Sequence, residues 1–175
     1  MEFNKLVEIR RSCRKYKQAD VLQADIEKII ETTLMAPSWK NSETGRYYVA
    51  LSEDAIKEVY DSLPGFNQNS SKNAAYIITT FKKGISGLGS DGPSKAGDIW
   101  GGYDLGLQNA YMCLKASELG YDTLIMGLRD EDRLREYFNI SDDEIVLPVI
   151  AIGKKDGDIK LNPRSKKVDD VLVIK

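Results

Sequence analysis

The chain carries R-R-S-C-R-K-Y at residues 10–16 and A-P-S-W-K-N-S at residues 36–42, and these two motifs decide how the rest of the sequence is interpreted. Side chains alternate along an extended segment, so an extended first motif places Arg10, Ser12 and Arg14 on one side. Guanidinium groups form charge-assisted, bidentate hydrogen bonds with phosphate oxygens. The first motif therefore predicts an anion site, although solvated arginines after a helix are the alternative that these residues leave open.

The second motif predicts a turn beside a ligand that has a sugar-like chain and a flat ring. Apolar residues recur at helical spacing over residues 22–35, and Pro37 ends that helix because proline disfavours helical backbone in the residue before it. Ser38, Trp39 and Asn41 then supply a hydroxyl, an aromatic plate and an amide. A plain helix-ending turn with Trp39 packed on it is the alternative interpretation.

The hydrophobic pattern predicts helices and strands in mixed order along a single domain that spans residues 1–175. Residues 84–98 collect glycine, serine, aspartate and proline and predict a mobile loop. The closing apolar segment, V-D-D-V-L-V-I, predicts a terminal strand that pairs with a sheet. The helices are predicted at 3–10, 22–35, 53–63, 99–119 and 131–138, and the other strands at 46–51, 75–81, 121–126 and 145–152.

Composition narrows the classes of function. The 175 residues carry a net charge of −2, which gives no general attraction to nucleic acid or to anionic lipid. No apolar stretch of membrane-spanning length and no signal-peptide pattern is evident, so we expect no membrane partner and a cytoplasmic protein. The chain has no histidine, which excludes Ser-His and Cys-His dyads, and no metal site is predicted. If the protein is an enzyme, a cofactor carries the difficult step.

Cysteine use indicates a reduced protein. Cys13 and Cys113 are the only cysteines and are far apart in the sequence, so we expect free thiols. Cys13 lies inside the basic motif, where neighbouring arginines are expected to lower its pKa if the thiol is functional. A position that merely fills space is the preferred interpretation.

These motifs, in this order, resemble the nitroreductase family, small homodimeric flavoproteins that bind FMN and take electrons from NADH or NADPH. The resemblance continues through an apolar helix over 104–119, a strand ending in Met126-Gly127, an apolar strand closing at Gly153 and a basic C-terminal arm. It implies an α+β fold with a mainly antiparallel central sheet flanked by helices, in an intertwined homodimer. It also implies an FMN-dependent NAD(P)H oxidoreductase that passes hydride through flavin N5 to a small-molecule acceptor such as a nitroaromatic or quinone.

The resemblance assigns cofactor-binding roles to twelve residues and leaves the catalytic chemistry to the flavin. Arg10 and Ser12 hold the FMN phosphate, and a second basic pair from the C-terminal arm closes on it. Arg11 lies near the ribityl chain, and Arg14 approaches the ring at N1 and the C2 oxygen. A turn from the opposite subunit touches the flavin, and a strand end presents backbone N–H groups to it. The implied set is Arg10, Arg11, Ser12, Arg14, Pro37, Ser38, Trp39, Asn41, Met126, Gly127, Arg164 and Lys166.

Two features leave other functions open. The family usually continues the turn as N-x-Q-P-W, whereas this chain places Glu43 at the glutamine position, which allows a specialised flavoprotein such as a dehalogenase, an oxidative enzyme or a redox sensor. Gly87, Gly89 and Gly92 spell G-x-G-x-x-G after a predicted strand, which allows a nucleotide-binding interaction module. Pro93 follows immediately, however, and a flexible loop over a pocket is the preferred interpretation of these glycines.

Overall fold

The computed structural model describes residues 2–159 and 162–175, in which helices and strands alternate irregularly along the chain. The helices are α1 (Phe3–Ile9), α2 (Gln23–Thr33), α3 (Glu53–Ser62), α4 (Gly65–Ser71), α5 (Ile99–Glu118) and α6 (Glu131–Phe138). The strands are β1 (Gly45–Ala50), β2 (Ala75–Lys82), β3 (Leu88–Gly89), β4 (Gly92–Pro93), β5 (Asp122–Met126) and β6 (Glu144–Gly153).

The central sheet has four strands in the order β1-β2-β6-β5, and every neighbouring pair is antiparallel. The register between β2 and β6 shifts between Ile78 and Thr80. Pro148 of β6 lies at this shift, and its carbonyl accepts a hydrogen bond of 2.9 Å from Thr79 Oγ1. Proline has no N–H to give to a ladder, so a β-bulge with a side-chain donor accommodates it here.

Both faces of the sheet are covered by helices. Tyr76 and Ile78 of β2 belong to a core shared with α3 and α6, whereas Ile77 packs in a second core with α2 and α5. Strand side chains alternate between faces, so an apolar run such as β2 or β6 is buried on both sides. The α+β class and the antiparallel sheet predicted from the sequence are confirmed.

Most of the predicted helices and strands agree with the structure within one or two residues. One helix was missed, and one predicted strand needs correction. Helix α4 was missed, because its sequence G-F-N-Q-N-S-S is rich in weak helix formers. Within this single chain the predicted terminal strand does not form, and the segment has a short 3-10 turn at Val168–Asp170. Its pairing with the sheet of a partner subunit, which the family resemblance implies, stays a prediction. Val173 and Ile174 beyond this turn are exposed, so this chain alone does not bury its apolar end.

In the described part of the chain, the helices are too short or too polar to cross a membrane.

Helix α5 meets the sheet without room for a side chain at Gly101. A Cβ there would lie 2.3 Å from the ring of Phe81, which is buried and unable to swing away. We expect Gly101→Ala to lower the free energy of unfolding by about 1–3 kcal/mol through overpacking, measured by urea denaturation. Gly65→Ala is the control, because a Cβ there meets no atom within 4 Å. Equal stability of Gly101→Ala and wild type would contradict this packing of α5 on β2.

Candidate functional site

The first motif lies beside β5 and forms one wall of a small cavity. Backbone contacts hold it there: Ser12 bridges Thr123 in parallel fashion, and Cys13 N–H donates to the Thr123 carbonyl at 2.9 Å. Cys13 and Tyr16 are buried in the core, so the residues between and before them face outward. The predicted extended conformation of this motif, with Cys13 on the opposite side from Ser12 and Arg14, is consistent with this arrangement.

Arginines from two distant parts of the sequence line this cavity, whose volume is about 180 Å³. Ile159 and Asn162 complete the wall beside the C-terminal arm. The lining residues with cationic or hydroxyl groups are Arg10, Arg11, Ser12, Arg14 and Arg164. The structure therefore brings five of the twelve implied site residues into one place.

The arginines of this cavity form no ion pairs with the described residues. Within the described residues, no carboxylate lies within 4 Å of a guanidinium nitrogen of Arg10, Arg11, Arg14 or Arg164. Arg11 Nη1 donates to the carbonyls of Val7 and Arg10, but its buried Nε has no hydrogen-bond partner. Clustered like charges and an orphaned donor are stabilised by an anion with several acceptor oxygens. The donor set fits a phosphate group.

Cys13 fills space in the core, which agrees with the interpretation preferred from the sequence, and the nearby arginines do not lower its pKa. Burial raises the pKa of its thiol above the ordinary value, and the Sγ atom hydrogen-bonds to the Lys15 carbonyl at 3.2 Å. The residue points into the core because side chains alternate along the extended motif. Cys13 is therefore an anchor of the motif and not a nucleophile of the cavity.

A larger groove adjoins the cavity and shares Arg10 and Ser12 with it. Its volume is about 570 Å³, and its walls are mostly apolar. The helix α5 forms its floor through a line of small residues, Gly102, Gly106 and Ala110. The groove therefore suits a flat apolar body attached to an anionic group, or the surface of another protein.

Asn109 is a polar residue of this groove that the sequence reasoning missed. Its side chain is buried, its Nδ2 donates to Thr79 Oγ1 at 3.4 Å, and its Oδ1 has no hydrogen-bond partner. A buried acceptor without a partner is costly and is expected to meet a donor from a ligand or a second chain. The adjacent polar pair Gln108-Asn109 inside an otherwise apolar helix was the available signal.

The second motif forms a compact turn elsewhere on the molecule. None of the five main cavities of the described residues is lined by both this turn and the arginine cluster. Trp39 packs on Trp100 at the start of α5, with ring centroids 4.8 Å apart, and its indole N–H donates to the Leu88 carbonyl at 3.2 Å. Asn41 is exposed, and its amide donates to Glu43 Oε1 at 2.8 Å. Pro37 is exposed and Ser38 is half-buried at the start of the same turn.

The remaining implied site residues are placed separately. Met126 is buried at the end of β5, and Gly127 follows it in the open, with no atom within 4 Å of an added Cβ. A ligand can approach this backbone closely. Lys166 is exposed and does not line the arginine cavity, whereas Arg164 does.

The glycine loop does not form a dinucleotide site. The three glycines lie in and around a small hairpin made by β3 and β4, and Pro93 is part of that hairpin. A dinucleotide fingerprint needs a strand that turns directly into a helix N-terminus. The interaction-module interpretation therefore has no geometric support.

Inorganic phosphate tests the arginine cavity without any cofactor. We expect phosphate to raise the melting temperature more than chloride does at equal ionic strength, because an anion that binds in the cavity of the folded protein stabilises the folded state. Arg10→Ala should abolish this difference, while Lys5→Ala, which removes an exposed cation of α1, should preserve it. A phosphate effect that survives Arg10→Ala together with Arg164→Ala would contradict the anion site.

Sequence comparison supports the resemblance to the nitroreductase family. The Nitroreductase family model matches residues 7–83, a range that includes both motifs. A relative from Archaeoglobus fulgidus, named as a candidate NADH dehydrogenase/NAD(P)H nitroreductase, is 25% identical over 153 residues, which cover 85% of this chain and 83% of that protein.

Solved structures extend the similarity to the whole chain. A candidate nitroreductase in complex with FMN from Exiguobacterium sibiricum has a TM-score of 0.88 and 22% identity, covering 100% of this chain and 98% of that one. A candidate NAD(P)H:FMN oxidoreductase from Staphylococcus epidermidis has a TM-score of 0.86 and 21% identity, covering 99% and 95%. This chain has the nitroreductase fold, and its resemblance to the nitroreductase family is confirmed by sequence and by structure.

Proposed function

We propose that this protein is an FMN-dependent oxidoreductase that takes hydride from NADH or NADPH and passes it to a small acceptor such as a nitroaromatic or a quinone. The observation that carries the proposal is the cavity lined by four arginines that have no carboxylate partner among the described residues. The FMN in the complex from Exiguobacterium sibiricum and the names of the other similar proteins support the choice of this cofactor.

The residues of the cavity divide between the two ends of the proposed cofactor. Arg10, Ser12 and Arg164 would hold the phosphate, and Arg11 would lie near the ribityl chain. Arg14, further along the same extended segment, would approach the ring at N1 and the C2 oxygen. Backbone N–H groups at Met126 and Gly127 would face the ring from the end of β5, where the open space above Gly127 permits a close approach. Lys166 would join the phosphate site only if the C-terminal arm moves.

The proposed chemistry asks for positioning and charge from this chain. FMN supplies an acceptor of hydride at N5, so no acid or base of the protein is required. That requirement suits a chain without histidine. The guanidinium of Arg14 would favour negative charge on the adjacent ring edge, which makes acceptance of hydride easier.

A homodimer would complete the site. The turn that carries Pro37, Ser38, Trp39 and Asn41 contributes nothing to the lining of the arginine cavity within one chain, so a second copy would supply it. Exposed apolar side chains favour such an assembly, since large exposed apolar patches mark interaction surfaces. They are Phe3 and Val7 on α1, Ile99 and Tyr103 on α5, and Val173 and Ile174 in the C-terminal arm.

The visible spectrum of the protein purified without added flavin tests this proposal. A bound flavin absorbs in the visible range, and anaerobic NADH or NADPH should bleach it; a nitroaromatic or a quinone should then restore it. Bleaching without recovery would favour the specialised flavoprotein that Glu43 leaves open. A colourless protein that does not take up FMN would contradict the proposed function.

Variants at Arg10 and Arg14 should affect different steps, the binding of FMN and its reduction by NADH. We expect Arg14→Ala to slow reduction by NADH about tenfold while weakening FMN binding less, because the ring contact strengthens as negative charge develops. Arg10→Ala is the matched variant and should weaken FMN binding while leaving reduction of the saturated protein nearly unchanged. Stopped-flow absorbance at saturating FMN measures the rates, and fluorescence titration measures the affinities. Equal losses of affinity and rate in Arg14→Ala would contradict its place at the ring.

A further inference from the structure

A buried carboxylate links the Trp39 turn to segment 84–98. Asp104 lies inside α5, is 2% exposed, and accepts two hydrogen bonds through Oδ2. One comes from the backbone N–H of Trp39 at 3.0 Å, and the other comes from the hydroxyl of Ser86 at 2.8 Å. One atom of a helix thus ties together two segments that are far apart in the sequence.

The hydroxyl of Ser86 extends this connection to the far end of the turn. Ser86 is buried and lies 3.0 Å from Ser42 Oγ and 3.3 Å from Thr44 Oγ1. A hydroxyl has one hydrogen to donate, and Ser86 gives it to the carboxylate, so it accepts from Ser42 or Thr44. The hydrogen bonds therefore run in one direction, from the turn through Ser86 to Asp104, and such chains strengthen one another.

The turn between these two anchors has an unfavourable backbone. Lys40, Asn41 and Glu43 have φ angles of 47°, 56° and 49°, in the left-handed region. Asparagine tolerates this region, but lysine and glutamate do not favour it. Such conformations persist only where the surrounding structure imposes them, and they cluster at ligand-binding sites. Here the anchors at Trp39 and at Ser42 and Thr44 lie at the two ends of the strained stretch.

We propose that Asp104 and Ser86 are positioning residues that hold the Trp39 turn in its left-handed conformation and join it to segment 84–98 as one unit. The loop expected to be mobile is then a support for the turn. Gly84 N–H donates to Asp98 Oδ1 at 2.5 Å, which joins the two ends of the loop, and the indole N–H of Trp39 donates to the Leu88 carbonyl, which ties the loop to the turn. Variation in the loop would change the shape that the turn presents.

The hydrogen bonds that join the Trp39 turn to Ser86 and Asp104 are called the latch from here on. The existence of the latch does not depend on the proposed function, but its consequence for catalysis rests on that function. If a second copy brings the turn to FMN, then Asp104 and Ser86 set the position of Asn41 and Trp39 at the ligand without touching it. Changes at the latch should then raise the KM for the acceptor more than they lower the rate of reduction by NADH.

Trypsin cleavage after Lys40 measures the latch directly, because Lys40 is exposed at the strained turn. We expect Ser86→Ala and Asp104→Asn to accelerate this cleavage about tenfold, since loss of a hydrogen bond to a buried carboxylate favours local opening. Tryptophan fluorescence gives a second measure, because both tryptophans of the chain, Trp39 and Trp100, lie at this junction. Acrylamide quenching should rise in the same variants.

Two control variants in the same segment make the same chemical changes outside the latch. Ser94→Ala removes a buried hydroxyl that has no hydrogen-bond partner, and Asp91→Asn removes an exposed carboxylate at the hairpin tip. Neither should change cleavage after Lys40 or quenching. If Asp104→Asn does not fold, Ser86→Ala alone decides. Folded Ser86→Ala with wild-type cleavage and wild-type quenching would overturn the proposal.

Measurements with and without saturating FMN separate the latch from the proposed function. Faster cleavage in Ser86→Ala under both conditions supports the latch even if the wild type binds no FMN, in which case only the proposed function fails. If the wild type binds FMN and NADH reduces it, but Ser86→Ala is cleaved at the wild-type rate, the latch is overturned and the proposed function is retained.

Discussion

A cluster of four positively charged arginines around one cavity is the constraint on which the candidate site depends. Arg10, Arg11 and Arg14 come from one extended segment, Arg164 comes from the C-terminal arm, and no carboxylate of the described chain lies within ion-pair distance of them. Such a cluster is tolerated when the backbone is held by other forces and an anion completes it. The protein meets the first condition, and the proposed FMN phosphate meets the second.

The fold supplies the force that holds the cluster. Cys13 and Tyr16 are buried in the core, and the backbone of Ser12 and Cys13 pairs with Thr123 of β5, so the segment cannot swing away. The sheet is covered on both faces, which makes β5 a rigid support. The turn at Trp39 is held by a different means, because Asp104 and Ser86 fasten it to α5. Two rigid parts of the site are thus built separately within one chain, and a second copy is proposed to bring them together.

The sequence predicted the helices and strands that depend on the pattern of neighbouring residues. Helical spacing identified α2, and a long stretch with apolar residues nearly all round identified α5. An N-capping aspartate, Asp130, indicated the start of α6, and an apolar run identified β6 as a strand covered on both faces. Alternation along residues 10–16 correctly separated Ser12 and Arg14 from Cys13. The features that were missed or wrong depend on distant contacts. A buried aspartate or asparagine in α5 has no local signature of its partner at Trp39 or Thr79. The terminal strand does not form within one chain, which provides no surface to cover its apolar side chains.

The comparison of FMN with riboflavin tests the central claim most directly, because the two ligands differ only in the phosphate. Isothermal titration calorimetry of the cofactor-free protein measures both affinities under identical salt. Because the phosphate should gain several charge-assisted hydrogen bonds, the account predicts that FMN binds at least about 100-fold more tightly than riboflavin. Equal affinities would show that the arginine cavity does not hold a phosphate and would contradict the proposed FMN site.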